Sequence, residues 1–385
     1  MVKMPKNVPD ITRYKYTDCY ELAIPLIDSC NMACEFCFEN QELCKPEKED
    51  PEKIMKILDV VVPYMKNELA KHSYKQIDLK LWGGELFYDA LPDEMLETYI
   101  HFVKQLKKEL KLPFTIVYLS NGMFTKLDRV LRVLDETDGY ISISYDPVGR
   151  FFTQAQKELF LHNMRWFREH HRQESVSITL THPTIEAYVA GDRIYDSLPT
   201  DLPHIVNFYV PNKDWKRYVP SWEDYFHFYT WAIKNRRFNI DIIHEIMKHT
   251  FPEERPYVVR MCNCKEATQY CSWLDRCSKN CIDDRVLDMD HAKYFYGNEI
   301  AKEITDENHF EVRTSMSRIK NGCVYCEYYD TCPMMCPASI LFKKYNAEKC
   351  PIKETYQLIT EEDKKAFREW QEQYHVYNRE GIIHK

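Results

Sequence analysis

Short apolar runs rich in β-branched and aromatic residues alternate with longer amphipathic stretches in the first half of the chain. The runs are Tyr20–Asp28, Ile77–Trp82, Phe114–Leu119, Tyr140–Tyr145, Val176–Thr181 and Ile205–Val210. Helical periodicity marks stretches between them, at 51–72, 91–110, 127–137 and 154–171. Each connection is long enough for the helical crossover that parallel strands require. The pattern therefore predicts six successive βα units.

These six units are too short for a complete barrel. A closed barrel of eight βα units typically needs about 250 residues, whereas the last predicted strand ends near residue 212. We therefore predict an α/β fold, a partial TIM-like (βα)6 barrel followed by a cysteine-rich domain. The predicted division is an N-terminal extension (1–18), the barrel with its connecting helices (19–250), the cysteine-rich domain (251–350) and a helical tail (351–385).

Charge and hydropathy argue against two classes of partner. The chain has 52 Lys and Arg against 60 Asp and Glu, a net charge of −8 at pH 7. Non-specific nucleic-acid binding needs a cationic surface that neutralises phosphates. No apolar run approaches the roughly 20 residues that span a bilayer, and residues 1–18 lack the apolar stretch of a signal peptide. We expect a cytoplasmic protein with no nucleic-acid or membrane partner.

The 15 cysteines are the most informative part of the composition. Five lie at or before Cys44, none lies between 45 and 261, and ten lie from Cys262 to Cys350. In a reducing cytosol, such groups indicate metal ions or clusters more than disulfides. The chain therefore has two separate groups of candidate ligands.

The first group contains Cys30, Cys34 and Cys37, which directly follow the first predicted strand. Three thiolates can hold three irons of a 4Fe-4S cluster. The fourth iron then stays open for another ligand. A zinc site completed by a distant residue is the alternative. Because functional groups of βα barrels gather at the carboxyl ends of the strands, the position favours the cluster.

This C-x3-C-x-aromatic-C spacing, after the first strand of a six-unit barrel, resembles the radical S-adenosylmethionine enzymes. The resemblance extends over about residues 19–212. In that family the open iron binds S-adenosylmethionine, and an electron from the cluster cleaves it to methionine and a 5′-deoxyadenosyl radical. The resemblance implies that Cys30, Cys34 and Cys37 hold the cluster and that Phe36 lies beside the adenine.

Gly83-Gly84-Glu85, after the second predicted strand, resembles the GGE motif of the same family. The resemblance implies that Glu85 accepts hydrogen bonds from the methionine ammonium and that the glycines allow a close backbone approach. The family usually has proline after the glutamate, where this chain has Leu86. A simple turn is the alternative for the motif taken alone.

Segments after the third and fourth predicted strands also resemble family motifs. Ser120 and Asn121 belong to an SNG segment that resembles the third-strand motif, and the resemblance implies that both residues help to bind S-adenosylmethionine. The resemblance further implies that Ser144 and Asp146 approach the ribose, and that Arg150 pairs with the carboxylate of S-adenosylmethionine. An Asn-Gly turn and an Asp-Pro turn are the alternatives for these segments.

The second cysteine group has the spacing C-x2-C-x5-C-x3-C with a later fifth cysteine, which resembles the SPASM domain of peptide-modifying radical enzymes. The resemblance implies that one auxiliary 4Fe-4S cluster is held by Cys323, Cys326, Cys332 and Cys350. Cys336 crosses to a nearer cluster, for which we favour Cys264, Cys271 and Cys281, with Cys262 and Cys277 as alternatives. The total is three 4Fe-4S clusters. A pair of zinc ribbons is the alternative.

The implied function is radical modification of a ribosomally made precursor peptide by crosslinking, oxidation or epimerisation. It implies S-adenosylmethionine as cofactor and an external low-potential electron donor of the flavodoxin or ferredoxin type. Only about 19 residues precede the first predicted strand. We therefore expect either a separate leader-binding protein or a short substrate.

Three other functions remain open. Anaerobic sulfatase maturases, which form formylglycine, place an acidic residue directly after a near-cluster cysteine, whereas Ile282 follows Cys281 here. That difference disfavours them. Radical chemistry on a small molecule such as a sugar is a second alternative, and a zinc-ribbon binding protein is a third.

Overall fold

The computed structural model describes residues 19–37, 49–71, 74–146, 148–150, 153–190, 198, 202–208, 216–251, 328 and 350–373. Its strands are β1 (Cys19–Ile27), β2 (Gln76–Gly83), β3 (Phe114–Ser120), β4 (Gly139–Ser144), β5 (Gln173–Leu180) and β6 (His204–Phe208). They form one sheet in the order β1-β2-β3-β4-β5-β6, and all neighbours are parallel. Within the described residues β1 and β6 do not pair, so the barrel is open. The predicted fold class is confirmed.

Helices connect the strands and extend beyond the last one. They are α1 (Pro51–Lys71), α2 (Asp93–Leu110), α3 (Leu127–Thr137), α4 (Gln154–Glu169), α5 (His182–Val189), α6 (Trp222–Lys234), α7 (Asp241–Lys248), α8 (Pro351–Leu358) and α9 (Glu361–Gln373). The periodic stretches at 51–72, 91–110, 127–137 and 154–171 predicted α1, α2, α3 and α4, whereas no periodic stretch predicted α5 or α8. The fifth strand also begins earlier than predicted, at Gln173, and ends before Thr181, which caps α5 instead.

The core lies between the sheet and its helices. In β2, Ile77, Leu79 and Leu81 are fully buried, whereas the residues between them are partly exposed. The apolar stripe of α2 packs on this layer through residues such as Phe102 and Leu106, which are also fully buried. This packing holds the strand ends, and the loops that follow them, in fixed positions.

The last helix docks on the barrel through a buried carboxylate. Asp363 in α9 is almost fully buried and accepts hydrogen bonds from Lys234 Nζ at 2.9 Å and Arg236 Nη1 at 3.3 Å. Beside it, Phe367 packs edge-on against Phe238 at a ring-centroid distance of 5.3 Å. The described part of the tail, through residue 373, therefore packs against the barrel.

The outer edge of β6 is covered in its first half. His204 N donates to Asn239 O at 2.9 Å, and Val206 N donates to Asp241 Oδ1 at 3.0 Å. Asp241 Oδ1 also accepts from Ile242 N at 2.7 Å. One carboxylate thus binds both the edge strand and the beginning of α7.

Most of the predicted cysteine-rich domain lies outside the described residues, including the candidate ligands Cys262, Cys264, Cys271, Cys277, Cys281, Cys323, Cys326, Cys332 and Cys336. Cys350 is described; it is buried and directly precedes α8. In the described part of the chain, no helix combines the length and apolarity needed to cross a membrane.

Candidate functional site

Four segments that follow neighbouring strands meet at the carboxyl-terminal edge of the sheet. They are the cysteine loop after β1 (residues 28–37), the GGE segment after β2 (83–85), the SNG segment after β3 (120–122) and the described residues after β4 (145–146 and 148–150). Hydrogen bonds connect all four segments. The structure therefore brings together the candidate residues of the barrel that the sequence placed on four separate segments.

The two glycines of the GGE segment allow the ends of β1 and β2 to touch. A Cβ atom on Gly83 would lie 2.2 Å from Ile27 O, and one on Gly84 would lie 1.8 Å from Ser29 O. Gly83 also has a φ of 148°, which side chains rarely adopt. The close approach is sealed by Gly84 N donating to Ile27 O at 2.9 Å and Glu85 N donating to Ser29 O at 2.8 Å. These contacts fix the position of the start of the cysteine loop relative to β2.

Glu85 is fully buried and its carboxylate joins β2 to β3. Oε1 accepts from Ser120 Oγ at 2.8 Å and Phe87 N at 3.1 Å, and Oε2 accepts from Asn121 N at 2.5 Å. Burial raises the pKa of Glu85 to about 7, although these three hydrogen bonds and the Arg150 charge act in the opposite direction. The pKa of the Glu85 carboxyl group inside the site therefore lies close to neutral pH.

The cysteine loop is held at both ends. Glu49 Oε1 accepts from Asp28 N at 3.2 Å and Ser29 N at 2.7 Å, and Cys37 N donates to Cys34 O at 3.1 Å. Cys34 is buried, whereas Cys30 and Cys37 are partly exposed. The loop therefore keeps its three thiols in one short, ordered turn.

The three thiols are ligands of the kind that a 4Fe-4S cluster takes. Among the described residues, no three His, Cys, Asp or Glu side chains are gathered as ligands of one metal ion. In a 4Fe-4S cluster each thiolate binds a different iron, so the sulfurs need not converge on one point. Burial raises the pKa of Cys30 to about 12, and the Glu85 charge adds to this rise.

Arg150 is a positively charged side chain next to the cysteine loop. Its Nη2 donates to Asp146 Oδ2 at 2.9 Å, and Asp146 Oδ1 accepts from Thr179 N at 2.6 Å. Burial lowers the pKa of Arg150, but the nearby cysteines and Asp146 more than reverse this and raise it. The guanidinium also lies over the Phe36 ring, 5.6 Å from its centroid. A fixed cation of this kind suits an anionic ligand.

Phe36 and Ser144 have different surroundings in the site. Phe36 is buried and packs edge-on against Tyr218 at 6.1 Å, and a Cβ on Gly149 would lie 3.1 Å from its ring. Ser144 is the last residue of β4, lies level with Ser177 of β5 and is partly exposed. Ser144 thus stands at the rim, next to buried Asp146.

Two glutamates that sequence reasoning did not single out also shape the site. Glu49 binds the start of the cysteine loop, and Glu35, inside the cysteine motif, is bonded to Arg217 and Tyr218 after β6. Glu35 and Tyr218 are 183 residues apart. No local pattern marks such a pair, so only the fold could identify it.

The fold is similar to solved structures titled "Native anSMEcpe with bound AdoMet". One of them is 14% identical, has a TM-score of 0.56, and aligns over 92% of this chain and 97% of its own. Another, described with bound AdoMet and Cp18Cys peptide, is 15% identical, has a TM-score of 0.55, and aligns over 92% and 97%. No protein-family model matches the chain, and no curated protein sequence matches it. At this identity, the similarity establishes a shared fold.

Proposed function

We propose that the protein is a radical S-adenosylmethionine enzyme. The observation that carries the proposal is the position of Cys30, Cys34 and Cys37 in one ordered loop beside the half-buried cation Arg150. Similarity of fold to anSME, an anaerobic sulfatase-maturating enzyme of the radical S-adenosylmethionine class whose structures hold AdoMet, supports it. A zinc-ribbon protein would not require a cationic, barrel-rim site.

The residues around the loop have separate tasks in this proposal. Cys30, Cys34 and Cys37 hold a 4Fe-4S cluster, which supplies one electron for cleavage of S-adenosylmethionine when it is bound. Arg150 pairs with the carboxylate of that cofactor and is itself oriented by Asp146. Phe36 offers an apolar wall for the adenine.

Glu85 has a modified role in the proposal. Its two oxygens already accept three hydrogen bonds from the chain. A carboxylate oxygen can accept more than one hydrogen bond, so an ammonium group remains an acceptable further partner. Glu85 therefore acts first as a strut between β2 and β3, and second as a ligand of the methionine ammonium.

We further propose a peptide substrate. The SPASM-like cysteine spacing and the peptide-bound anSME structures support this choice. The same reasoning includes two auxiliary 4Fe-4S clusters, an external low-potential electron donor and, for a leader-containing substrate, a separate leader-binding protein.

Formylglycine formation is the second candidate reaction. The fold similarity to anSME favours it, and the sequence after Cys281 disfavours it. The two reactions leave different products. Oxidation of a Ser side chain to formylglycine removes two hydrogens and creates an aldehyde. Crosslinking also removes two hydrogens but creates no aldehyde.

The first experiment tests the cluster and the cofactor. Anaerobically reconstituted protein should bind about twelve irons, and dithionite with S-adenosylmethionine should give 5′-deoxyadenosine. Replacing Cys30, Cys34 and Cys37 together by Ala should abolish this product and leave about eight irons. Cys44→Ala, outside both predicted ligand sets, is the matched control. Stoichiometric zinc without iron, or undiminished cleavage in the triple variant, contradicts the proposal.

The second experiment separates the candidate substrates. The reconstituted enzyme is incubated with peptides encoded by short reading frames beside the gene, and with Ser and Cys peptides of the sulfatase type. Mass spectrometry and an aldehyde-reactive hydrazide then distinguish crosslinking from formylglycine, and deuterium uptake from solvent without net mass loss indicates epimerisation. If only a sugar or other metabolite stimulates 5′-deoxyadenosine release, the peptide proposal is wrong.

A further inference from the structure

The side-chain amide of Asn121 has only one orientation compatible with its neighbours. The backbone N–H of Met123 can only donate, and it lies 2.8 Å from Asn121 Oδ1. The other end of the amide must therefore be the donor Nδ2. Asn121 is 4% exposed, so the backbone contact is not in competition with bulk water. Its NH₂ group consequently points at the cysteine loop.

Two acceptors in that loop receive the NH₂ group. Nδ2 lies 2.8 Å from Asn31 Oδ1 and 3.7 Å from Cys30 Sγ. The orientation of Asn31 is fixed by the same reasoning, because its Nδ2 donates to the carbonyl of Met123 at 2.5 Å. The two amides and the Met123 backbone thus form a closed ring of hydrogen bonds. One NH₂ group reaches both the ring and a sulfur.

A donor at a cysteine sulfur changes how readily an attached cluster accepts an electron. Reduction adds negative charge to the cluster and its thiolates, and a hydrogen bond to a sulfur stabilises that charge. A buried donor acts in a medium of low dielectric constant, where its effect is stronger than at the surface. Cys30 is also near buried Glu85, whose charge opposes reduction.

We propose that Asn121 is a positioning residue for the radical-generating cluster, its amide bonding Cys30 Sγ and raising the cluster's reduction potential. This inference rests on the proposed function, because it requires a cluster on Cys30. It differs from the cofactor contact that the family resemblance implied for Asn121. The residue acts through the sulfur ligand.

A purely mechanical role is the rival explanation, and the ring provides the matched control. Asn31→Ala removes both bonds of Asn31 but leaves Asn121 Oδ1 held by Met123 N, so the donor still faces Cys30. Asn121→Ala removes the same tether and the sulfur donor as well. Asn121→Asp keeps the bond from Met123 N and places an acceptor, not a donor, towards the sulfur.

The test is an anaerobic redox titration of the reconstituted proteins, followed by electron paramagnetic resonance. The signal of the relevant cluster is the one that changes when S-adenosylmethionine is added and is absent after Cys30, Cys34 and Cys37 are replaced by Ala. Loss of one hydrogen bond corresponds to about a tenfold change in the reduction equilibrium, or about 59 mV for one electron. We expect a lower potential by roughly this amount in Asn121→Ala, and a still lower one in Asn121→Asp.

Each outcome decides between the explanations. An unchanged potential in Asn31→Ala with lowered potentials in both Asn121 variants supports the inference. Equal shifts in Asn31→Ala and Asn121→Ala would show that the loop tether alone matters, and unchanged potentials in all variants would also overturn it. If the wild type binds no iron at these cysteines, the proposed function itself fails, which the iron content shows before any titration.

Discussion

Replacing Gly84 by Ala should damage both folding stability and the cysteine loop. The added methyl group would lie 1.8 Å from Ser29 O and 2.8 Å from Asp28 O, whereas Cβ atoms essentially never approach such neighbours closer than 3.0 Å. The end of β1 would have to withdraw by about 1 Å, because both obstacles are backbone atoms that cannot rotate away. That movement displaces the segment directly before Cys30.

The size of the effect follows from the hydrogen bonds that the movement breaks. Gly84 N to Ile27 O and Glu85 N to Ser29 O measure 2.9 and 2.8 Å and would both be lost or stretched. A net hydrogen bond contributes about 1 kcal/mol, and a buried group left unsatisfied costs about 1–3 kcal/mol. We therefore expect the free energy of unfolding to fall by roughly 2–5 kcal/mol.

The assay pairs urea unfolding of the apoprotein with iron binding after reconstitution. Gly139→Ala is the matched control: its methyl group would lie 2.7 Å from the Tyr118 ring and 2.9 Å from Thr137 Oγ1, but Gly139 begins β4 at the opposite end of the sheet. Gly139→Ala should lower stability and retain the iron of the first cluster. Gly84→Ala should lower both. Wild-type stability and full iron content in Gly84→Ala would refute the role assigned to this contact.

Three further predictions concern the same region. Burial raises the pKa of Glu85 from 4.5 to about 7, so its stabilising contribution is fully present below about pH 4.5 and is lost as the pH rises through 7. Between about pH 5 and pH 8 the wild-type apoprotein should lose roughly 2–3 kcal/mol relative to Glu85→Gln in urea unfolding, and parallel pH curves would contradict this. Arg150→Ala removes the cation that pairs with buried Asp146 and should lower the free energy of unfolding by about 3 kcal/mol. Adding Asp146→Asn should restore part of the thermal stability. No recovery in the double variant would argue against the importance of this ion pair. Thr153→Ala removes the oxygen that accepts from Gln156 N at 3.2 Å and should lower stability by about 1 kcal/mol in chemical denaturation, with iron content unchanged.

Local hydrophobic patterns predicted the strands of the sheet, but they did not predict the short helix α5. Alternation in Ile77–Trp82 located β2 to within one residue at each end. Helix α5 spans only 8 residues, or about two turns, so hydrophobic periodicity is a weak signal there. Its actual signals were the capping Thr181 and the following proline near the helix start.

The candidate site was predictable only as a set of neighbouring strand ends. Parallel order places the cysteine loop beside the GGE and SNG segments, which the sequence could indicate. The direction of the Glu85 side chain could not be predicted, because its partners Ser120 and Asn121 lie 35 and 36 residues away. Its burial depends on how tightly β1 and β2 meet, which is a property of the packed sheet.

Asp241 has a consequence for how the protein behaves at high concentration. An open barrel exposes the backbone of its last strand, and such an edge is a template on which another chain can add a strand and aggregate. Here Val206 N is already bonded to the Asp241 carboxylate and His204 N to Asn239 O. A charged group that occupies an edge donor also repels an incoming carbonyl. The residue that begins α7 therefore blocks the addition of another strand along the first half of β6.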